Sequence, residues 1–101
     1  MAVRQWLPVD VKERLKAGKS LQIVDVREPS EYAWGHIPGA KLIPLGQLPE
    51  RYKEINTNAE CVIVCASGNR SGVACQYLER AGYSNVYNLM GGMYRWDGDV
   101  E

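Results

Sequence analysis

At 101 residues, 46% of them hydrophobic, the chain has the size and composition of one globular domain with one core. Twelve basic residues balance twelve acidic ones, giving a formal net charge of zero. With the positive residues scattered, nothing in the charge points to nucleic acid or an anionic membrane as partner. No apolar run reaches transmembrane length, and Met1–Trp6 lacks the apolar core of a signal peptide, so a cytoplasmic location is the expectation. The cysteines are Cys61, Cys65 and Cys75; an odd number argues against a disulfide framework. No cysteine pair is separated by two residues and His36 is the single histidine, so neither a metal nor another cofactor is expected.

In chain order, Val3-Arg4-Gln5-Trp6 reads as a short strand at or near a sheet edge. Pro8 suits the first turn of a helix, although Leu7 is a weak cap. Val11 and Leu15 share a face of that helix through about Ala17, and Gly18 stops it. Leu21 to Arg27 reads as a strand, apolar enough to be a buried parallel one. Residues 29–34 have room for a turn or two of helix, and Gly35 to Ala40 form a tight loop. Lys41-Leu42-Ile43 is a short strand closed by Pro44. Leu45, Leu48 and Tyr52 space as a helix face through about Glu54. After the turn Asn56-Thr57-Asn58, Cys61 to Val64 is a central strand. A helix follows, beginning near Ser71, with Ala74, Tyr77, Leu78 and Ala81 as its buried stripe and Gly82 as its stop. Asn85 to Leu89 is the last strand, and Gly91-Gly92 opens a short final helix carrying Met93 and Trp96.

Strands alternating with helices imply an α/β fold of three layers: a mostly parallel sheet of about five strands, covered by helices on both faces, in a single domain over 1–101. Reactive groups in such sheets lie at the carboxyl ends of strands, where Cys65, Asp25 and Arg27 fall. The stretch Cys65-Ala66-Ser67-Gly68-Asn69-Arg70-Ser71 places a cysteine between a buried strand and a helix N-terminus. Backbone N–H groups of a curled loop can converge on its sulfur, and the helix directs its positive end there. Arg70 adds a permanent charge, Gly68 the freedom to curl, and Ser67 and Ser71 hydroxyls for an oxyanion or the helix end. Together these effects can bring a thiol from about 8.5 to below neutral. A cysteine in an apolar run is otherwise only a small hydrophobe; the polar loop with Arg70 favours the reactive reading.

Two long motifs resemble the single-domain rhodanese (thiosulfate sulfurtransferase) family. One runs from Asp25-Val26-Arg27-Glu28-Pro29 to Gly35-His36-Ile37-Pro38-Gly39-Ala40; the other is the Cys65–Ser71 loop. The segment Asn88-Leu89-Met90-Gly91-Gly92-Met93-Tyr94-Arg95-Trp96 is similar to the family's closing Gly-Gly and Trp segment. The resemblance implies that Cys65 is the nucleophile and carries a persulfide between half-reactions. It implies that Ala66, Ser67, Gly68, Asn69, Arg70 and Ser71 hold the terminal sulfur or the anionic donor. The implied partners are a small anionic sulfur donor and a thiol or cyanide acceptor; a sulfur-relay protein is the alternative source of sulfur.

Four residues separate Cys65 from Arg70. The related cell-cycle and tyrosine phosphatases have five there, enough for a tetrahedral phosphate, so the shorter loop favours sulfur. Asp25 and Arg27 read as a structural carboxylate and a guanidinium paired with an acid such as Glu31. His36 reads as a loop-ordering imidazole rather than half of a Cys-His dyad. Cys75 is expected packed or half-exposed. Either Cys61 or Cys75 could in principle resolve Cys65 into a disulfide, and Cys61, about 13 Å along an extended strand, is the worse placed. The chain departs from the family pattern at Leu7 and after Trp96, where Asp99 lies near the position of a usual proline.

Overall fold

The computed structural model describes residues 3–101; of the N-terminal segment, Met1 and Ala2 lie outside the described residues. Five strands form one sheet: β1 (Gln5–Trp6), β2 (Leu21–Asp25), β3 (Lys41–Leu42), β4 (Glu60–Val64) and β5 (Val86–Leu89). Their order across the sheet is β1-β5-β4-β2-β3, and every pairing is parallel. The first strand is an edge, as its sequence suggests. The helices are α1 (Pro8–Lys16), α2 (Pro29–Trp34), α3 (Leu48–Arg51), α4 (Asn69–Arg80) and α5 (Gly92–Arg95). The expected continuous helix over 45–54 is instead three short pieces, Leu45–Gln47 (3₁₀), α3 and Tyr52–Glu54 (3₁₀). Pro44 precedes this segment and Pro49 has no N–H to bond the preceding turn, so α3 starts only one residue before Pro49.

Period-two alternation along β4 divides the core. Cys61, Ile63 and Cys65 face a cluster containing Leu48, Ala74, Cys75 and Leu78, which α3 and α4 cover. Val62 and Val64 face the opposite cluster with Trp6, Val11 and Ile37, against which Tyr32, Met93 and Trp96 pack. The α4 stripe is as expected at Ala74 and Leu78, while Ala81 lies in the exposed C-terminal turn. Leu15 is also exposed, leaving Val11 as the buried anchor of α1. Asp10 accepts the Leu7 N–H at 2.8 Å, offsetting the poor cap.

The chain places α2 on the second face and α4 on the first, although β2 and β4 are neighbours. Connections that leave adjacent parallel strands over opposite faces open a crevice at their carboxyl ends. Cys65 follows β4 at that crevice, and Asp25 closes β2 beside it.

Candidate active site

The sulfur is held from several sides. Cys65 is buried at the end of β4. Helix α4 begins at Asn69, two residues before the expected start, because Gly68 turns the chain with φ 101°. That left-handed conformation favours glycine, and it brings the Gly68 N–H to 3.0 Å from Cys65 Sγ. Ser71 falls in the first turn of α4, and its Oγ lies 3.2 Å from Sγ. Burial pushes the Cys65 thiol up, but the Ser71 hydroxyl and the N–H groups of Ser71, Gly68 and Ser67 hold the anion, and the net direction is down. Loop N–H groups and a hydroxyl thus gather around one sulfur, an arrangement suited to a thiolate or a small sulfur-centred anion.

The back of the loop is locked by α5. Met93 N–H donates to the Cys65 carbonyl at 2.8 Å and Tyr94 N–H to that of Ala66 at 3.0 Å. Such close approach needs Gly92, with φ 59°: a Cβ there would collide with the Cys65 carbonyl oxygen and lie 2.6 Å from the Ala66 carbonyl.

Arg70 turns sideways. Its guanidinium forks onto Glu31 of α2 at 2.7 and 2.8 Å, across the crevice. The pairing holds the Glu31 carboxyl down at about 2, through Arg70 first and the Glu28 N–H second, and raises Arg70. Glu31 is therefore the partner of Arg70 and not, as the sequence suggested, of Arg27. Arg27 closes onto Asp25 instead, Nη2 to Oδ2 at 2.8 Å, and also donates to the Gly35 carbonyl at 2.8 Å. Spacing explains the exchange: two residues apart at a strand end, Asp25 also accepts the Arg27 N–H at 3.0 Å.

The remaining expected residues divide by position. Asn69 and Ser67 are exposed at the loop mouth. His36 stacks on Tyr32 with ring centroids 3.6 Å apart, and Nδ1 lies 2.9 Å from the Tyr32 carbonyl. Its backbone exchanges hydrogen bonds with Glu101 at 2.9 and 3.1 Å. These contacts order a loop and fix the segment after Trp96. Trp96 packs in the cluster opposite Cys65, and Trp34 is 91% exposed at the end of α2. Cys61 and Cys75 are both buried, and burial pushes each thiol up to about 12. Neither is poised as a resolving thiolate.

Sequence reasoning missed Asn88. This buried β5 residue accepts the Ser71 hydroxyl on Oδ1 and donates from Nδ2 to the Gly68 carbonyl at 3.1 Å. The legible signal was a polar residue two positions from Val86, on the same core-facing side of the strand.

Fold and site together define an α/β domain with a buried cysteine cradled at a strand-to-helix turn. The Rhodanese-like domain family matches residues 7–99, and the chain belongs to that family. The chain is 42% identical over 90 residues to the putative sulfur carrier protein YrkF of Bacillus subtilis, covering 89% of this chain and 49% of that protein. It is 37% identical over 101 residues to the putative sulfurtransferase YtwF of the same organism, covering 100% and 97%. Among solved structures, the rhodanese-like domain protein of Staphylococcus aureus superposes with a TM-score of 0.91 at 40% identity, covering 98% of this chain and 97% of that one.

Proposed function

We propose that the domain is a sulfurtransferase that carries sulfane sulfur as a persulfide on Cys65. The observation that carries this reading is the convergence of the loop N–H groups on a buried sulfur, with the Ser71 hydroxyl beside it. In the first half-reaction the Cys65 thiolate attacks the outer sulfur of thiosulfate. The Sγ–S bond forms, the bond to the sulfonate sulfur breaks, and its electron pair leaves with sulfite. The thiolate form, which the loop N–H groups favour, attacks without a general base. In the second half-reaction cyanide or a thiolate takes the outer sulfur, and Cys65 departs as thiolate. The loop from Ala66 to Ser71 supplies donors for the terminal sulfur, and Asn69 and Ser67 flank its mouth.

The test is mass spectrometry after thiosulfate treatment. The expected result is a gain of one sulfur on the wild type and none on Cys65→Ser; no gain with any sulfane donor overturns the proposal. YrkF is named a putative sulfur carrier, which favours a second reading, a relay module loaded by a partner protein. Rapid loading from a cysteine desulfurase, with slow loading from thiosulfate, selects that reading.

A further inference from the structure

Asn88 is 4% exposed, and its amide is fixed from three sides. Nδ2 donates to the Gly68 carbonyl at 3.1 Å and to Gln5 Oε1 at 3.0 Å. A backbone carbonyl only accepts, so the edge facing Gly68 is the NH2. Oδ1 therefore faces Ser71 as an acceptor with no proton to offer. Ser71 Oγ in turn lies 3.2 Å from Cys65 Sγ. A hydroxyl has one proton, and here it lies between two acceptors whenever Cys65 is ionised.

The three forms of the sulfur differ in what they ask of that proton. In the thiol, S–H points to Ser71 Oγ, the Ser71 hydroxyl donates to Asn88, and the chain is complete. In the thiolate, giving the proton to sulfur leaves Asn88 Oδ1 buried without a donor. Withholding it turns an oxygen lone pair toward the sulfur charge. In the persulfide the charge sits on the outer sulfur, and Sγ is a neutral, weak acceptor. The proton then returns to Asn88 at little cost.

We propose that Asn88 is a positioning residue whose amide oxygen competes with Cys65 for the Ser71 proton, favouring the thiol and the persulfide over the bare thiolate. The persulfide half of this statement rests on the sulfurtransferase reading; the thiol half does not. Other charges around Cys65 do not duplicate the effect. On α4, Arg70 is paired with Glu31 of α2, and Cys75 is a buried thiol held protonated. On β2, Asp25 is closed onto Arg27. From β5, Asn88 is the polar group facing the site, and α5 contributes backbone N–H groups to the loop carbonyls.

The test is a pH titration of thiolate ultraviolet absorbance, taken as the difference between each protein and its Cys65→Ser counterpart. Asn88→Ala is expected to lower the Cys65 midpoint by about one pH unit, a tenfold gain in thiolate below the midpoint. Ser71→Ala alone is expected to move the midpoint by less than about half a unit. In the Asn88→Ala background the same change is expected to raise it by about one unit. A midpoint that is unchanged or raised in Asn88→Ala overturns the proposal. So does a full-unit rise in Ser71→Ala alone, a measurement that stands even if Asn88→Ala does not fold. The titration uses no sulfur donor, so its failure leaves the sulfurtransferase reading intact. A normal titration without sulfur gain overturns that reading alone.

Discussion

Arg70 sits beside the cysteine loop yet spends its guanidinium on Glu31, and paired substitutions separate its two possible roles. The perturbations are Glu31→Gln and Arg70→Ala. A carboxyl displaced from 4.5 to about 2 corresponds to roughly 3 kcal/mol in a dry site. About a third of each side chain meets solvent, 36% for Arg70 and 33% for Glu31. Screening and side-chain entropy reduce the stability at stake to about 1 kcal/mol. The pH sign follows from a depressed carboxylate. This stabilisation is present above about 4.5 and is lost as pH falls through about 2.

The effect on a dianionic donor has a similar size and a different sign. Glu31→Gln leaves Arg70 uncompensated at the crevice. Two unit charges 4 Å apart in water interact by about 1 kcal/mol, and a dianion at about twice that separation gives the same figure. The expected outcome is a KM for thiosulfate about fivefold lower in Glu31→Gln and about fivefold higher in Arg70→Ala. Added salt shrinks both differences. Each variant should lose about 1 kcal/mol of stability in urea unfolding. Steady-state kinetics at fixed ionic strength, alongside the unfolding midpoints, checks both. If both variants lose stability while KM stays put, Arg70 is a brace between α2 and α4, and its charge does not act on the donor.

Two further outcomes follow from the surroundings of the loop. Asp25→Ala strands a buried guanidinium, 6% exposed, and is expected to cost about 3–5 kcal/mol in urea unfolding; restoring most of that loss by adding Arg27→Met would confirm the cause, and a loss below 1 kcal/mol would remove the pair from the fold's essential contacts. Gly92→Ala puts a Cβ against the Cys65 and Ala66 carbonyls at φ 59°. It should lower sulfur transfer by at least about tenfold and stability by about 2–4 kcal/mol, whereas Gly46→Ala, with open space around its Cβ, serves as the control that should change neither.

Much of this architecture was legible because it follows from local chemistry. The apolar run at Cys61–Val64 and the following polar loop placed Cys65 at a strand end, and Gly68 announced the turn. Period-two and period-3.6 patterns gave the α/β alternation. Pairing choices were not legible in the same way. The sequence offered Glu31 to Arg27 alone, and only the crevice between β2 and β4 brings Arg70 onto it. Asp25 takes Arg27 because both leave the same strand end. That releases Glu31 to reach 39 positions along the chain to Arg70.

The same reasoning explains why Asn88 escaped the sequence and Ser71 did not. Ser71 lies inside a recognisable loop, so its hydroxyl was already suspected. Asn88 belongs to the neighbouring strand, and its relevance depends on register: β4 pairs Ile63 with Asn88, two residues before Cys65. A strand polar group that faces the core must find partners, and here they are the hydroxyl and the carbonyl that shape the cysteine loop. On the proposal for Asn88, β5 as well as the loop sets how the sulfur divides between its protonated and ionised forms. A one-residue slip of β5 would turn Asn88 to the opposite face and leave Ser71 free to donate to the thiolate.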